Sequence, residues 1–304
     1  MSHRVRRPLR LLLLVLLLTG LVSCGRVQHP PPHQQKLTPP AQLVGRFHHY
    51  VALGDSYTSA PYVPVMVQDS CYRSDHNYPS LVARSLRIAD FADRSCGGAK
   101  TANLTSPQPK TDAPPQFTAL RKDTDLVTVG IGANDAGIAK TVMGVCQGMA
   151  TVTRHGAPCR KLMRAHGPDK LLSAIPAVGG RVASLLRQVH RRSPHARVVL
   201  VGYPRLAPAH GTCKALPLAT GDYAYVNQVL HTLDRALRRA AHTTGTTWVD
   251  PWPASRGHDI CSDHPWIEGA FADPNRAAAY HPFGNEQVAV ARLVEHALAR
   301  PSQG

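Results

Sequence analysis

The chain has 304 residues, enough for one large domain or two small ones, and its 43% hydrophobic and 18% charged residues exclude a mostly disordered chain. The formal net charge is +16, and setting aside Arg4, Arg6, Arg7 and Arg10 at the extreme N-terminus takes it to +12. No Lys/Arg tract is interleaved with aromatic residues, which argues against nucleic-acid binding and leaves weak attraction to anionic lipid as the residual meaning of the charge.

The first ten residues are basic, and an almost unbroken leucine run follows at 9–18. That run is short for a transmembrane helix and suits the core of an export signal. Leu21-Val22-Ser23-Cys24 resembles the bacterial lipobox, whose cysteine is acylated after cleavage. The expectation is a lipoprotein signal over residues 1–23, with Cys24 as the lipid-bearing residue of an exported, membrane-anchored protein. A plain secretory signal and an uncleaved anchor are the other readings. Residues 25–46 hold prolines at 30–32 and 39–40 without apolar periodicity, so 24–46 reads as anchor cysteine plus extended tether. One folded domain is expected over 47–300.

Seven cysteines are present, and assigning Cys24 to lipid leaves six, an even number in an oxidising compartment. Six cysteines allow about 15 pairings. Sequential pairing (Cys71 with Cys96, Cys146 with Cys159, Cys213 with Cys261) is preferred because each bond closes a local excursion between core elements. No Cys-x-x-Cys or His-Glu-x-x-His spacing occurs, so neither a metal nor another cofactor is expected.

Short apolar runs alternate with amphipathic ones along the chain. A strand over 50–53 leads into Gly54-Asp55-Ser56, then a helix spans 78–88. A short strand over 88–93 precedes Ser95-Cys96-Gly97-Gly98. The strongest strand, 125–131, runs into Gly132-Ala133-Asn134-Asp135. Residues 58–78, 140–168 and 204–221 read as long, substrate-selecting loops, with disulfides pinning the latter two. Helices at 169–192, 222–242 and 285–299 alternate with strands at 197–202 and 246–249. This alternation predicts an α/β fold, a three-layer α/β/α sandwich with a mainly parallel central sheet and a single domain.

Sites in such sheets form where strands end, so those ends carry the candidates. Ser56, just after a glycine, would present its hydroxyl and its own N–H, although Asp-Ser is also a helix cap. Gly98 lets the backbone approach a ligand and present an N–H, with Gly97 as the alternative one residue away. Asn134 could project its amide into the site, although Asn-Asp is also a turn signal. Ahead of the last helix stands Tyr280-His281-Pro282, whose proline keeps His281 out of the helix.

Taken in order, Gly54-Asp55-Ser56, Gly98, Gly132-x-Asn134-Asp135 and His281-Pro282 resemble the four blocks of the GDSL-type SGNH hydrolases, whose fold is flavodoxin-like. The six remaining cysteines and the Ser-Cys-Gly-Gly setting resemble the secreted actinobacterial lipases and esterases of that family. The resemblance implies that Ser56 is the nucleophile and His281 the general base. It also implies an oxyanion hole of the Ser56 N–H, the Gly98 N–H and the Asn134 side chain. Many members carry an acid three residues before the histidine; here that position is Ala278, so its main-chain carbonyl is the expected orienting group. Asp263 and Asp273 are the alternative acids, and His264, also followed by proline, is the rival base. The expected activity is that of a carboxylic ester hydrolase, a lipase or esterase, working as a monomer on a lipid or small ester. The alternatives are an acyltransferase, a polysaccharide deacetylase, or a catalytically degenerate surface-binding lipoprotein. The absence of Gly-x-Ser-x-Gly argues against an α/β-hydrolase.

Overall fold

Short β-branched and aliphatic runs form the middle of a five-stranded parallel sheet in the computed structural model, which describes residues 38–301. The strands are β1 (His49–Gly54), β2 (Met66–Gln68), β3 (Arg73–Ser74), β4 (Asp90–Asp93), β5 (Leu126–Gly130), β6 (Arg197–Val201) and β7 (Thr247–Val249). The sheet order is β4-β1-β5-β6-β7, with every pair parallel, while β2 and β3 form a separate antiparallel hairpin. The helices are α1 (Ser56–Ser59), α2 (Tyr78–Leu86), α3 (Ile138–Lys140), α4 (Cys146–Val152), α5 (Pro158–Met163), α6 (Lys170–Arg192), α7 (Asp222–His242), α8 (Pro251–Ala254) and α9 (Gly284–Leu298).

Successive strand side chains point to opposite faces, and both faces are covered. Val51, Leu53, Val127, Val129, Val198 and Leu200 pack with α6 and α7. Tyr50, Ala52, Val199, Val201 and Val249 pack with α2 and α9. The one polar residue inside β5, Thr128, is satisfied there by a 2.7 Å hydrogen bond with the Tyr50 hydroxyl. The expected three-layer α/β/α single domain is the one observed. From β1 the chain passes through α2 to β4 on one side, then returns to β5 on the other. This places a topological switch point at the carboxyl end of β1, where open sheets bind ligands.

Two segments expected as loops carry regular structure. Residues 140–168 hold α4, α5 and a π-helical turn at Thr141–Val145, because Val142, Cys146 and Ala150 recur every fourth residue and are buried. The 58–78 segment contains the β2–β3 hairpin. At the N-terminal side the packed domain reaches back beyond Phe47: a 3-10 turn at Ala41–Leu43 buries Leu43 completely. The disulfides join Cys71 to Cys96, Cys146 to Cys159 and Cys213 to Cys261. The leader, Cys24 and most of the tether lie outside the described residues. Among the described residues no helix is long and apolar enough to cross a membrane.

Glu286, in the first turn of α9, is buried, and its side chain receives a 2.6 Å hydrogen bond from Gln287 Nε2. Burial pushes its carboxyl up from 4.5 to about 8. The unfolded chain therefore releases this proton at lower pH than the folded one, and the folded state loses stability as pH rises between those values. Glu286→Gln removes that term and keeps the acceptor for Gln287. Thermal melts should show the variant gaining on the parent from pH 4 to pH 9, by roughly 2–4 °C for each kcal/mol recovered. A melting difference that does not change with pH contradicts this account.

Candidate active site

The site begins where β1 meets β5, with Gly54 and Gly130 paired in register. Gly54 is there for space rather than for a left-handed turn. A Cβ added to it would lie 2.2 Å from Thr58 Oγ1 and 2.7 Å from the Gly130 carbonyl. Gln116 clamps the same residue, accepting the Gly54 N–H at 2.8 Å and donating to its carbonyl at 2.9 Å. The Asp55 N–H donates to Gly130 O at 2.9 Å, and the Asp55 carboxylate caps α1 by accepting the Tyr57 N–H at 3.0 Å. Ser56 thus becomes the first residue of a single helical turn. It is half-buried, and its N–H has no acceptor among the described residues.

The second block lies just beyond β4 and is built as a rigid bend. The Cys96 N–H donates to Gly54 O and the Gly97 N–H to Cys71 O at 2.7 Å, across the Cys71–Cys96 disulfide. Arg73 holds the Asp93 and Ser95 carbonyls behind it. Gly97 is therefore ruled out as a donor to a ligand. Gly98, at φ +76°, is exposed, and its N–H has no acceptor among the described residues.

The third block is locked onto the second. Asn134 donates one amide hydrogen to Ala99 O at 3.0 Å, which leaves its second for the cavity. Asp135 is buried, accepts the Thr101 N–H and hydroxyl at 2.9 and 2.6 Å, and pairs with Arg181 at 3.3 Å. The Asn-Asp pair is thus a brace between strand ends as well as a turn.

His281 is presented by a strap rather than a strand. Its N–H and carbonyl are held by Ala278 O and the Glu268 N–H, and Ile267 forms a bridge with Pro282. Tyr280 sits at φ +63°, a conformation L-residues avoid at a cost of about 1–2 kcal/mol. It is held there by the Tyr57 hydroxyl on its carbonyl (2.8 Å), by its own hydroxyl on Gln147 (2.5 Å) and by its N–H on Glu268 O (3.2 Å). The expected orienting carbonyl, Ala278, is corrected here. His281 Nδ1 bonds Ala279 O at 2.7 Å, while the Ala278 carbonyl accepts the His281 backbone N–H. With Nδ1–H donating, Nε2 carries the lone pair. Burial holds the imidazole below its ordinary value of 6.5, partly offset by the Ala279 hydrogen bond. Among the described residues no carboxylate hydrogen-bonds His281: Asp263 is exposed, and Asp273 bonds within its own turn. His264 is also exposed and does not line the cavity described next.

Ser56, Gly98, Asn134 and His281 all line one cavity of about 620 Å³. Its walls are mainly apolar, supplied by Pro61, Tyr62, Tyr72, Ala139, Met143 and Ala278. No hydrogen bond joins Ser56 Oγ to the His281 ring among the described residues; such bonds commonly tighten only once substrate is bound. A model of the GDSL-like lipase/acylhydrolase family matches residues 52–283, which takes in all four. The chain belongs to that family. It is 39% identical to Lipase 2 of Streptomyces coelicolor over 229 residues, 72% of this chain and 75% of that one. Among solved structures it resembles an extracellular lipase of Streptomyces rimosus (28% identity, TM-score 0.67, 83% of this chain and 98% of that one). A phospholipase A1 of Streptomyces albidoflavus shares the same coverage and TM-score at 30% identity. Family membership carries the expected enzyme class, a carboxylic ester hydrolase.

Sequence reasoning missed Gln116, Ala279, the clamping role of Tyr57, and Tyr203. The last had a usable signal, since Gly202-Tyr203-Pro204 follows a buried strand at the same sheet edge. Gly54→Ala tests the packing at the heart of this family member's site. Urea unfolding should show a loss of about 1–3 kcal/mol from overpacking, and a variant as stable as the parent contradicts the space argument.

Proposed function

We propose that the protein hydrolyses carboxylic esters through an acyl-enzyme on Ser56, with His281 as general base. The observation that carries this reading is the shared cavity. Ser56 and Gly98 bring to it N–H groups without acceptors among the described residues, Asn134 brings an amide hydrogen, and His281 is fixed as the Nδ1–H tautomer. In the first half-reaction Nε2 takes the Ser56 proton as Oγ attacks the carbonyl carbon. The oxyanion is held by the Ser56 N–H, the Gly98 N–H and the Asn134 amide. The imidazolium then protonates the leaving alkoxide, and the C–O bond breaks. In the second half-reaction Nε2 deprotonates water, which attacks the acyl-serine; Ser56 regains its proton and the acid departs. The Ala279 carbonyl takes the orienting part that a carboxylate plays in a triad.

An apolar cavity of this size favours a medium or long acyl chain over an acetyl group, and so a lipase or esterase over a polysaccharide deacetylase. The relatives named as lipases, one of them extracellular, and the three disulfides support export. We take residues 1–23 as the signal, Cys24 as the lipid-bearing N-terminus and the following segment as the tether. Mass spectrometry of the mature N-terminus tests this, and an unmodified Cys24 removes the anchor.

Ser56→Ala and His281→Ala should abolish hydrolysis of nitrophenyl esters, and Asn134→Ala should lower kcat by roughly a hundredfold while the fold persists. His264→Ala should act like the parent. A chain-length series should peak beyond acetyl. Burial disfavours the imidazolium, so neutral, base-competent His281 persists further into acid than free imidazole. Its NMR titration in Ser56→Ala should have a midpoint below 6.5; a midpoint above that value reverses the burial argument.

A further inference from the structure

Two of the proposed oxyanion donors, the Ser56 N–H and the Asn134 side chain, come from different strand ends. The sheet brings those two ends together, since β1 and β5 pair in register, but both donors lie in the turns beyond the strands and need a further tie to hold their separation. Each is preceded by a buried residue, Asp55 (1% exposed) and Ala133 (8% exposed). Both predecessors bond to one atom. Tyr203 Oη accepts the Ala133 N–H at 3.1 Å and donates to Asp55 Oδ2 at 2.6 Å. The other Asp55 oxygen holds the Tyr57 N–H at 3.0 Å. The hydrogen bonds thus run in one direction, from amide to phenol to carboxylate, and Asp55 needs both oxygens as acceptors.

The phenol is itself held. Tyr203 stands two residues beyond the end of β6, is 4% exposed, and its backbone N–H donates to Asp234 Oδ1 at 3.0 Å. Its ring meets Tyr57 edge to face with centroids 5.4 Å apart, and the Tyr57 ring lies 5.8 Å from that of His281. Tyr57 in turn donates to the Tyr280 carbonyl. A side chain from the connection after β6 thus ties the nucleophile turn to the Asn134 loop and, through Tyr57, to the histidine strap.

We propose that Tyr203 is a positioning residue of the oxyanion site: its buried phenol oxygen fixes the distance between the Ser56 N–H and the Asn134 amide. This rests on the oxyanion hole proposed above. In Tyr203→Phe the ring packing stays, while the Ala133 N–H and one Asp55 oxygen lose their partner. In Asp55→Asn one of the two acceptor positions becomes a donor, so the same link breaks from the other end.

The test is a double-mutant cycle on the oxidised enzyme with a soluble nitrophenyl ester, alongside the inhibition constant of an alkyl boronic acid. The boronate bonds to a serine and places an oxygen in the oxyanion site. Tyr203→Phe and Asp55→Asn should each lower kcat roughly tenfold or more, with KM within about twofold, and weaken boronate binding in proportion. The double variant should be no worse than the worse single one. Near-UV circular dichroism checks that each variant is folded at the assay temperature. If one is not, the other single variant carries the kcat and boronate comparison alone. A Tyr203→Phe kcat within twofold of the parent, unchanged boronate affinity, or single losses that multiply in the double variant overturns the proposal. Because Ser56→Ala probes the nucleophile and Asn134→Ala the hole directly, their loss of activity beside an unaffected Tyr203→Phe would sink this inference and leave the proposed reaction standing.

Discussion

The site depends on how closely the carboxyl ends of β1 and β5 approach. Gly54 and Gly130 face each other in register, and the side chain of Thr58 occupies the volume that their missing Cβ atoms leave open. That single packing lets the chain turn sharply after β1 and lets the Asp55 N–H reach the Gly130 carbonyl. Everything nearer the cavity follows from it. Ser56 opens a helical turn, its amide hydrogen is left without a partner, and the loop after β5 runs close enough to bring Asn134 alongside. The energetic weight falls on exclusion as much as attraction, since a side chain at Gly54 would run into the Gly130 carbonyl and one at either glycine would displace Thr58.

The histidine side is organised by a different principle. Ser56, Gly98 and Asn134 sit just beyond strand ends, where the sheet supplies rigidity. His281 sits on a strap closed by main-chain hydrogen bonds and by one residue in the left-handed region. Neutral groups do the orienting: the Ala279 carbonyl on Nδ1 and the tyrosine ring beside the imidazole. A carbonyl dipole steadies one tautomer without placing a full negative charge beside a half-buried ring. The net effect of burial is to keep that ring neutral.

The sheet and its main helices were readable because their signals are strong and local. Continuous runs such as Arg197–Val201 suit only a strand buried on both faces, and α6 repeats its apolar stripe over 23 residues. The four blocks stood out because they come in a fixed order, three of them beyond strand ends and the fourth ahead of the last helix. The segments that escaped have weak or non-local signals. In 142–150 the helical stripe consists of one valine, one cysteine and one alanine, too little apolar surface to stand out. Gln116 and Tyr203 act through partners 62 and 148 residues away, which no local window contains. Ala278 and Ala279 differ by a peptide orientation, and composition carries no trace of that.

All six paired cysteines fall in connections that leave the carboxyl ends of strands: after β1, β4, β5, β6 and β7. None lies in the sheet or in α2, α6, α7 or α9. The covalent staples therefore belong to the rim around the cavity and not to the scaffold beneath it. Hydrophobic burial and hydrogen bonds such as Tyr78 N–H to Gln287 hold the layered body together, while sulfur chemistry holds the mouth in shape. A reducing environment would act first on the rim of the cavity, and among the described residues the layered body below has no bond of that kind to lose.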